Sequence, residues 1–303
     1  MNTSAQNGAA IIMVLLIVAL ATSLAAFMAQ QQSLWQRQVE SQFDRAQARR
    51  IGTAGIDWAR AILADDARSS AIDHEKETWM LRLPAVPVEN GEVIGMIEDQ
   101  QGLFNLNNLV RNGTTNAADV AQFQRLLNLL GLPEEMAINL ADWMDIKLDE
   151  QQGIAEDVYY LALAQPYRAA NRELVELGEL VRVKGYDSNT VTRLQPYVST
   201  LPTLNASTPI NVNFASAEVL AAVISIPLSE ARGLVEQRRG NPFTSVEDFE
   251  KRGGVKVTTG NIAVSSQFFR VTGHARLGQA QVTTHALLQR SSGWPSVIWQ
   301  SVQ

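Results

Sequence analysis

"NGAAIIMVLLIVALATSLAAFMAQQQ", residues 7–32, decides how the rest of the chain is read. Ala9 to Ala29 is an unbroken run in which only Thr22 and Ser23 are polar, and no charged side chain occurs from Met1 to Gln36. About 20 apolar residues rising 1.5 Å each cross a hydrocarbon core of ~30 Å, so the run is long enough to span a membrane. A cleaved secretory signal has a basic start and a shorter apolar core of ~7–15 residues. Ala19-Leu20-Ala21 offers small residues for such a cut, yet no Lys or Arg precedes it.

The residues behind the run point to a helix that stays. Trp35, Val39, Phe43, Ala46, Ala54, Trp58 and Ile62 recur at multiples of three and four, and no proline occurs before Pro84. One helix from residue 9 to residue 64 is expected, roughly 80–85 Å long, with its first half in lipid. Its second half is expected to turn that apolar stripe toward a globular body.

The 303 residues suit about two domains, and the 46% hydrophobic content suffices for real cores. A net charge of -6 argues against a dedicated nucleic-acid binder, which carries a basic face. The absence of cysteine leaves the compartment open.

Strand signals lie early and late. Val93, Gly95 and Ile97 alternate with Ile94 and Met96 after an Asn90-Gly91 turn. Phe269 to Leu277 and Val282 to Leu288 alternate around a Gly278-Gln279 turn, and Val297 to Val302 is a candidate last strand. Between them lies helical sequence. Leu174 to Tyr197 reads as helix, Gly185 turn, helix, and Glu218 to Arg238 as helix, Ile226-Pro227 turn, helix. The expected fold is α+β: a long N-terminal helix on a small antiparallel sheet, with a large helical insertion.

A short polar leader ending in glycine before a retained hydrophobic helix resembles the class III signal of type IV pilins and type II secretion pseudopilins. The leader would be "MNTSAQNG", cut between Gly8 and Ala9, with Ala9 N-methylated. Met13 stands at the fifth mature position, where most of these proteins carry glutamate. The usual exception is the minor pseudopilin K (GspK) family. Later stretches resemble that family in order: "EDQQGLFNLNNLV" from Glu98, "LADWMDIKLDEQQGIAEDVYYLALAQPYRAANRELVELGELVRVKGY" from Leu140, "PINVNFASAEVLAAV" from Pro209 and the close "SSGWPSVIWQSVQ".

The resemblance implies a single-pass inner-membrane protein whose globular part is periplasmic. It implies a non-enzymatic subunit at the tip of the pseudopilus, supporting protein export. Its partners would be minor pseudopilins of the I, J and H types, held through Trp35, Val39, Phe43 and Ala46, together with prepilin peptidase and the inner-membrane assembly platform. The parts would be a leader (1–8), the helix (9–64, spanning over 9–29) and a pseudopilin domain (65–110 with 262–303). A sterile-alpha-motif-like helical insertion (111–208) and a second hairpin segment (209–261) complete the chain. The orientation follows from the resemblance, because Arg37, Arg45, Arg49 and Arg50 lie beyond the span.

Asp142, Asp145, Asp149, Glu150, Glu156 and Asp157 form an acidic run, and the resemblance implies calcium in this domain. Hard oxygen ligands suit that ion. Of these, Asp142, Asp145, Asp149, Glu156 and Asp157 are the candidate ligands, and a solvated acidic loop is the other reading. The second hairpin also resembles those of membrane-tethered DNA-uptake proteins, the rival function. Its turn, Ser225-Ile226-Pro227-Leu228-Ser229, has no glycine, and Pro227 lacks an N–H for phosphate. A simply anchored periplasmic binding protein, unprocessed at Gly8, is the third reading. No HExxH, GxSxG or P-loop pattern indicates catalysis.

Overall fold

The computed structural model describes residues 4–80, 85–146, 158–203, 206–291 and 293–303. Its first element, α1 (Ser4–Ser69), runs unbroken through the apolar segment and well beyond it. Its 66 residues rise about 100 Å, more than the expected helix at both ends. From Ile11 to Met28 every large apolar side chain is more than half exposed.

The lower half of α1 packs on an antiparallel sheet, though not through the expected stripe. Ala48, Gly52, Ile56, Ala59 and Leu63 are buried, spaced at i+4, i+8, i+11 and i+15. Trp35, Val39, Phe43 and Trp58 remain 52–73% exposed. At 100° per residue, the buried set centres about 180° around the helix from the Trp35-to-Ile62 stripe. The helix therefore turns its small residues to its own sheet and its aromatics outward. Size explains the choice: a Cβ on Gly52 would lie 2.2 Å from Thr284 Oγ1, so helix and sheet approach too closely for bulk there.

The sheet has five strands in the spatial order β1-β2-β3-β4-β5, namely Val86–Val88, Gly91–Asp99, Phe268–Leu277, Ala280–Gln289 and Ser296–Val302. All pairs are antiparallel, with Ile97 opposite Val271 and Val271 opposite Ala286. Period-two alternation places Phe269, Val271, Ala275 and Leu277 beneath α1, as read from the sequence. The register shifts between Leu287 and Leu288, leaving Ile298 of β5 as the extra residue of a bulge.

Between β2 and β3 the chain leaves the sheet and builds α2 (Ala117–Leu129), α3 (Glu135–Met144), α4 (Ser188–Leu194), α5 (Ala217–Ile224), α6 (Leu228–Gly240) and α7 (Val246–Gly253). The two expected helical segments are one packed body. A single cluster of buried residues runs from Phe104 and Leu106 through Phe123, Leu140 and Leu194 to Val219, Leu234 and Phe249. Arg125 of α2 donates to Ala222 O of α5 at 2.7 Å across the join. Residues 104–110, assigned by sequence to the sheet domain, belong to this core.

Asparagines fasten the segments. Asn107 donates to Leu174 O (2.9 Å) and Leu201 O (3.0 Å) and accepts from Leu174 N (2.8 Å). Asn105 and Asn108 clasp Leu201 and Thr208 in the same way. Asn213 exchanges two bonds with Phe243. The buried amides give "FNLNNL" and "INVNF" their physical meaning: each satisfies the backbone of a distant, irregular segment.

Candidate membrane and assembly surfaces

Alpha-helix α1 is one helix long and apolar enough to cross a membrane, with none of its apolar window buried within the molecule. That fits a single-pass anchor. Helical hydrogen bonding satisfies every backbone group inside the run, and Thr22 and Ser23 return their hydroxyls to Val18 O and Ala19 O. Gly8, Ala9 and Met13 all lie on this helix.

Below the run, Trp35, Val39, Phe43 and Trp58 form a ladder of exposed apolar groups, with Ala46 and Ala54 exposed between them. Among the described residues Arg37, Arg45, Arg49 and Arg50 carry no ion-pair partner, which leaves cations on the same stretch of α1. At its lower end Arg60 donates to Pro295 O at 2.7 Å and lies 5.2 Å from the centre of the Trp294 ring. Trp294 is itself 53% exposed. An apolar face continuous with a membrane span can take another helix rooted in the same membrane.

The acidic run is only partly placed. Asp142 is half-buried on α3, and Asp145 ends that helix, buried, accepting from Thr115 Oγ1 at 3.0 Å. Asp149, Glu150, Glu156 and Asp157 lie outside the described residues. Trp143 is buried against Tyr160 and Tyr167, and Trp79 packs edge-on to Phe269, so both are core residues. His274 and His285 sit on adjacent strands beside Thr283 and Thr272, not beside each other.

The second hairpin turns through Ser225, which adopts φ 59°. Its arginine pair divides. Arg238 is 6% exposed, donating to Val212 O and Phe214 O and lying 3.4 Å from Glu75, while Arg239 pairs with Glu236 at 2.6 Å. Arg238 is an internal fastener for the loop entering α5, not a phosphate ligand on a surface.

One group was not legible in the sequence. Asp66 near the end of α1, Asp73 in the following loop and Glu77 each place a carboxylate oxygen within 4.8 Å of the other two. Arg290, just past β4, donates to Asp66 Oδ2 at 2.7 Å and to Asp73 Oδ2. Ser266 N donates to Asp73 Oδ2 at 2.6 Å, and Trp79 Nε1 to Glu77 Oε2 at 2.7 Å. Burial, reinforced by Asp66 and Asp73, pushes the Glu77 carboxyl up to about 7, and burial also raises Asp66. The acids cluster in "DDARSSAIDHEKE", but their partner is 217 residues from Asp73, a separation that leaves no local pattern.

Two family models, both described as "Type II secretion system (T2SS), protein K", match residues 102–203 and 210–268. A protein of Pseudomonas aeruginosa named type II secretion system protein K is 37% identical, over 94% of this chain and 89% of its own. Proteins of the same name from Pectobacterium carotovorum and Klebsiella pneumoniae are each 32% identical, over 95% and 94% of this chain and 94% and 93% of theirs. The fold is similar to one in the crystal structure of the GspK-GspI-GspJ complex from enterotoxigenic Escherichia coli. The TM-score is 0.69 at 22% identity, over 88% of this chain and 99% of that one.

Proposed function

From the premise that this chain belongs to the type II secretion system protein K family, as its relatives show, we propose that it is the minor pseudopilin that begins the pseudopilus and occupies its tip. In this reading it is a non-enzymatic assembly protein. It is held in the inner membrane of a Gram-negative bacterium with its globular part in the periplasm, and it supports export across the outer membrane.

Prepilin peptidase cuts between Gly8 and Ala9, and the helix then packs beside those of other minor pseudopilins of the I, J and H types. The relative in the E. coli complex, named with GspI and GspJ, supports those partners. In most pilin-like subunits the carboxylate at mature position five pairs with the terminal ammonium of the subunit assembled before. An unpaired charge in hydrocarbon costs at least ~2.5 kcal/mol, which makes such a subunit a follower. Met13 cannot pair, so this subunit has no electrostatic reason to follow. Asp142 and Asp145 at the end of α3, with Asp149, Glu156 and Asp157, would hold a calcium ion, whose ligands are oxygens of this kind.

The observation that carries the reading is the exposed ladder from Trp35 to Trp58, opposite the helix's own core face. Site-specific crosslinking from Val39 and Phe43 in membranes should trap the other minor pseudopilins. Dominant crosslinks to the major pseudopilin, or polymerisation of this chain alone, would remove the tip assignment.

A further inference from the structure

The end of α1 is short of positive charge. Asp66, Asp73 and Glu77 face one guanidinium, Arg290, and all but Asp66 are buried. Each carboxylate has one oxygen engaged by N–H donors: Asp66 Oδ2 by Arg290, Asp73 Oδ2 by Arg290 and Ser266, Glu77 Oε2 by Trp79 and His74. The second oxygens are what remains. Asp73 Oδ1 belongs to a side chain only 1% exposed, and it is buried with no hydrogen-bond partner. An orphaned buried carboxylate oxygen calls for a proton or a cation.

We propose that Asp66, Asp73 and Glu77 hold one divalent cation of the calcium class, binding through their second oxygens. The chemistry selects such an ion: the donors are all carboxylate oxygen, without imidazole or thiolate. Two oxygens on one calcium at 2.3–2.6 Å lie at most about 5 Å apart, so one carboxylate oxygen from each of the three residues can share an ion without movement. The donors that engage the first oxygens orient the ligands, as outer partners do in built sites. A cleft of about 370 Å³ lined by Ser70, Ser266, Gln267 and Arg290 opens beside the residues that bond Asp66 and Asp73. The ion ties the end of α1 to the loop that enters the sheet, and through Arg290 to β4. This site is separate from the acidic run at Asp142.

Terbium luminescence, excited through tryptophan, tests it on the full chain in detergent after chelation, because Trp79 bonds Glu77 directly. Sensitised emission should appear, be displaced by calcium and resist equal magnesium. Glu77→Gln and Asp66→Asn should each weaken terbium binding by about tenfold or more, the minimum expected when a ligand rather than its outer partner is altered. Asp142→Asn removes the contribution of the candidate site beside Trp143 and should leave the part of the emission that Glu77→Gln and Asp66→Asn abolish. Calcium uptake by equilibrium dialysis should fall in parallel, with helical circular dichroism unchanged. Absence of emission from the wild type, full emission in both variants, or loss of all emission in Asp142→Asn alone would each overturn the proposal.

Discussion

Asn107 is 1% exposed: its amide supplies both backbone partners of Leu174 and adds a second donor to Leu201 O, which Asn105 also holds. Truncation leaves the Leu174 N–H and C=O buried and unpaired, and each such loss costs about 1–3 kcal/mol. Asn107→Ala should therefore lower the stability of the helical body by roughly 2–4 kcal/mol in a urea titration, whereas changes at exposed Asn189 should be silent. Asp99 is the second residue with a measurable signature. Burial pushes its carboxyl up to about 7 from an ordinary 3.8. A carboxyl raised in the folded state holds its proton more tightly there than in the unfolded chain. Stability is then greatest below the unfolded value and falls as pH rises from about 4 to about 7. Asp99→Asn should flatten that slope in melting temperatures taken across this range in chelator. An unchanged slope would place the titration elsewhere.

At the scale of the element, α1 carries two apolar faces, and the sequence shows the larger one more plainly. The bulky ladder has the stronger periodic signal, yet the sheet takes Ala48, Gly52, Ile56, Ala59 and Leu63. Gly52 measures how closely the two surfaces approach. Gly→Ala in a helix interior ordinarily gains about 1 kcal/mol, but here the new methyl meets Thr284 Oγ1, and overpacking of this kind costs about 1–3 kcal/mol. Gly52→Ala should therefore lower the melting temperature. Thr284→Ala, which removes that hydroxyl together with its own unpaired burial, should restore it in the double variant. Additivity of the two changes would show that helix and sheet lie farther apart than described. The strands were easier. Their alternation needs only one buried face, and the Gly278 turn sets their register, with Ala280 opposite Leu277.

For the whole molecule, the division of labour along α1 sets the expected behaviour. The apolar half anchors, the lower half carries the sheet on one side and offers aromatics on the other, and the helical body hangs from β2 and β3. Under the proposed function, processing at Gly8 gates entry of this architecture into a fibre. Gly8→Val should leave a longer precursor that remains in the membrane and yields no crosslinks from Phe43 to the other minor pseudopilins. N-terminal sequencing of the wild type should begin at Ala9. A mature terminus at Thr22, or an intact Met1, would show that a different peptidase acts.

The sequence by itself determined the anchor, the strands and the helical hairpins, because each is written in local terms: an unbroken apolar run, period two, and turn residues between amphipathic segments. It also identified the family, through motifs whose order no local rule requires. Which face of α1 meets the sheet was decided only in three dimensions. Periodicity reports that a stripe is apolar, while close approach selects the stripe with small side chains. The fusion of the two helical segments into one core, the burial of Arg238 and the meeting of Asp66, Asp73, Glu77 and Arg290 were decided there too. Each depends on groups brought together from across the chain, where desolvation and charge act through space and leave no trace in the spacing of residues.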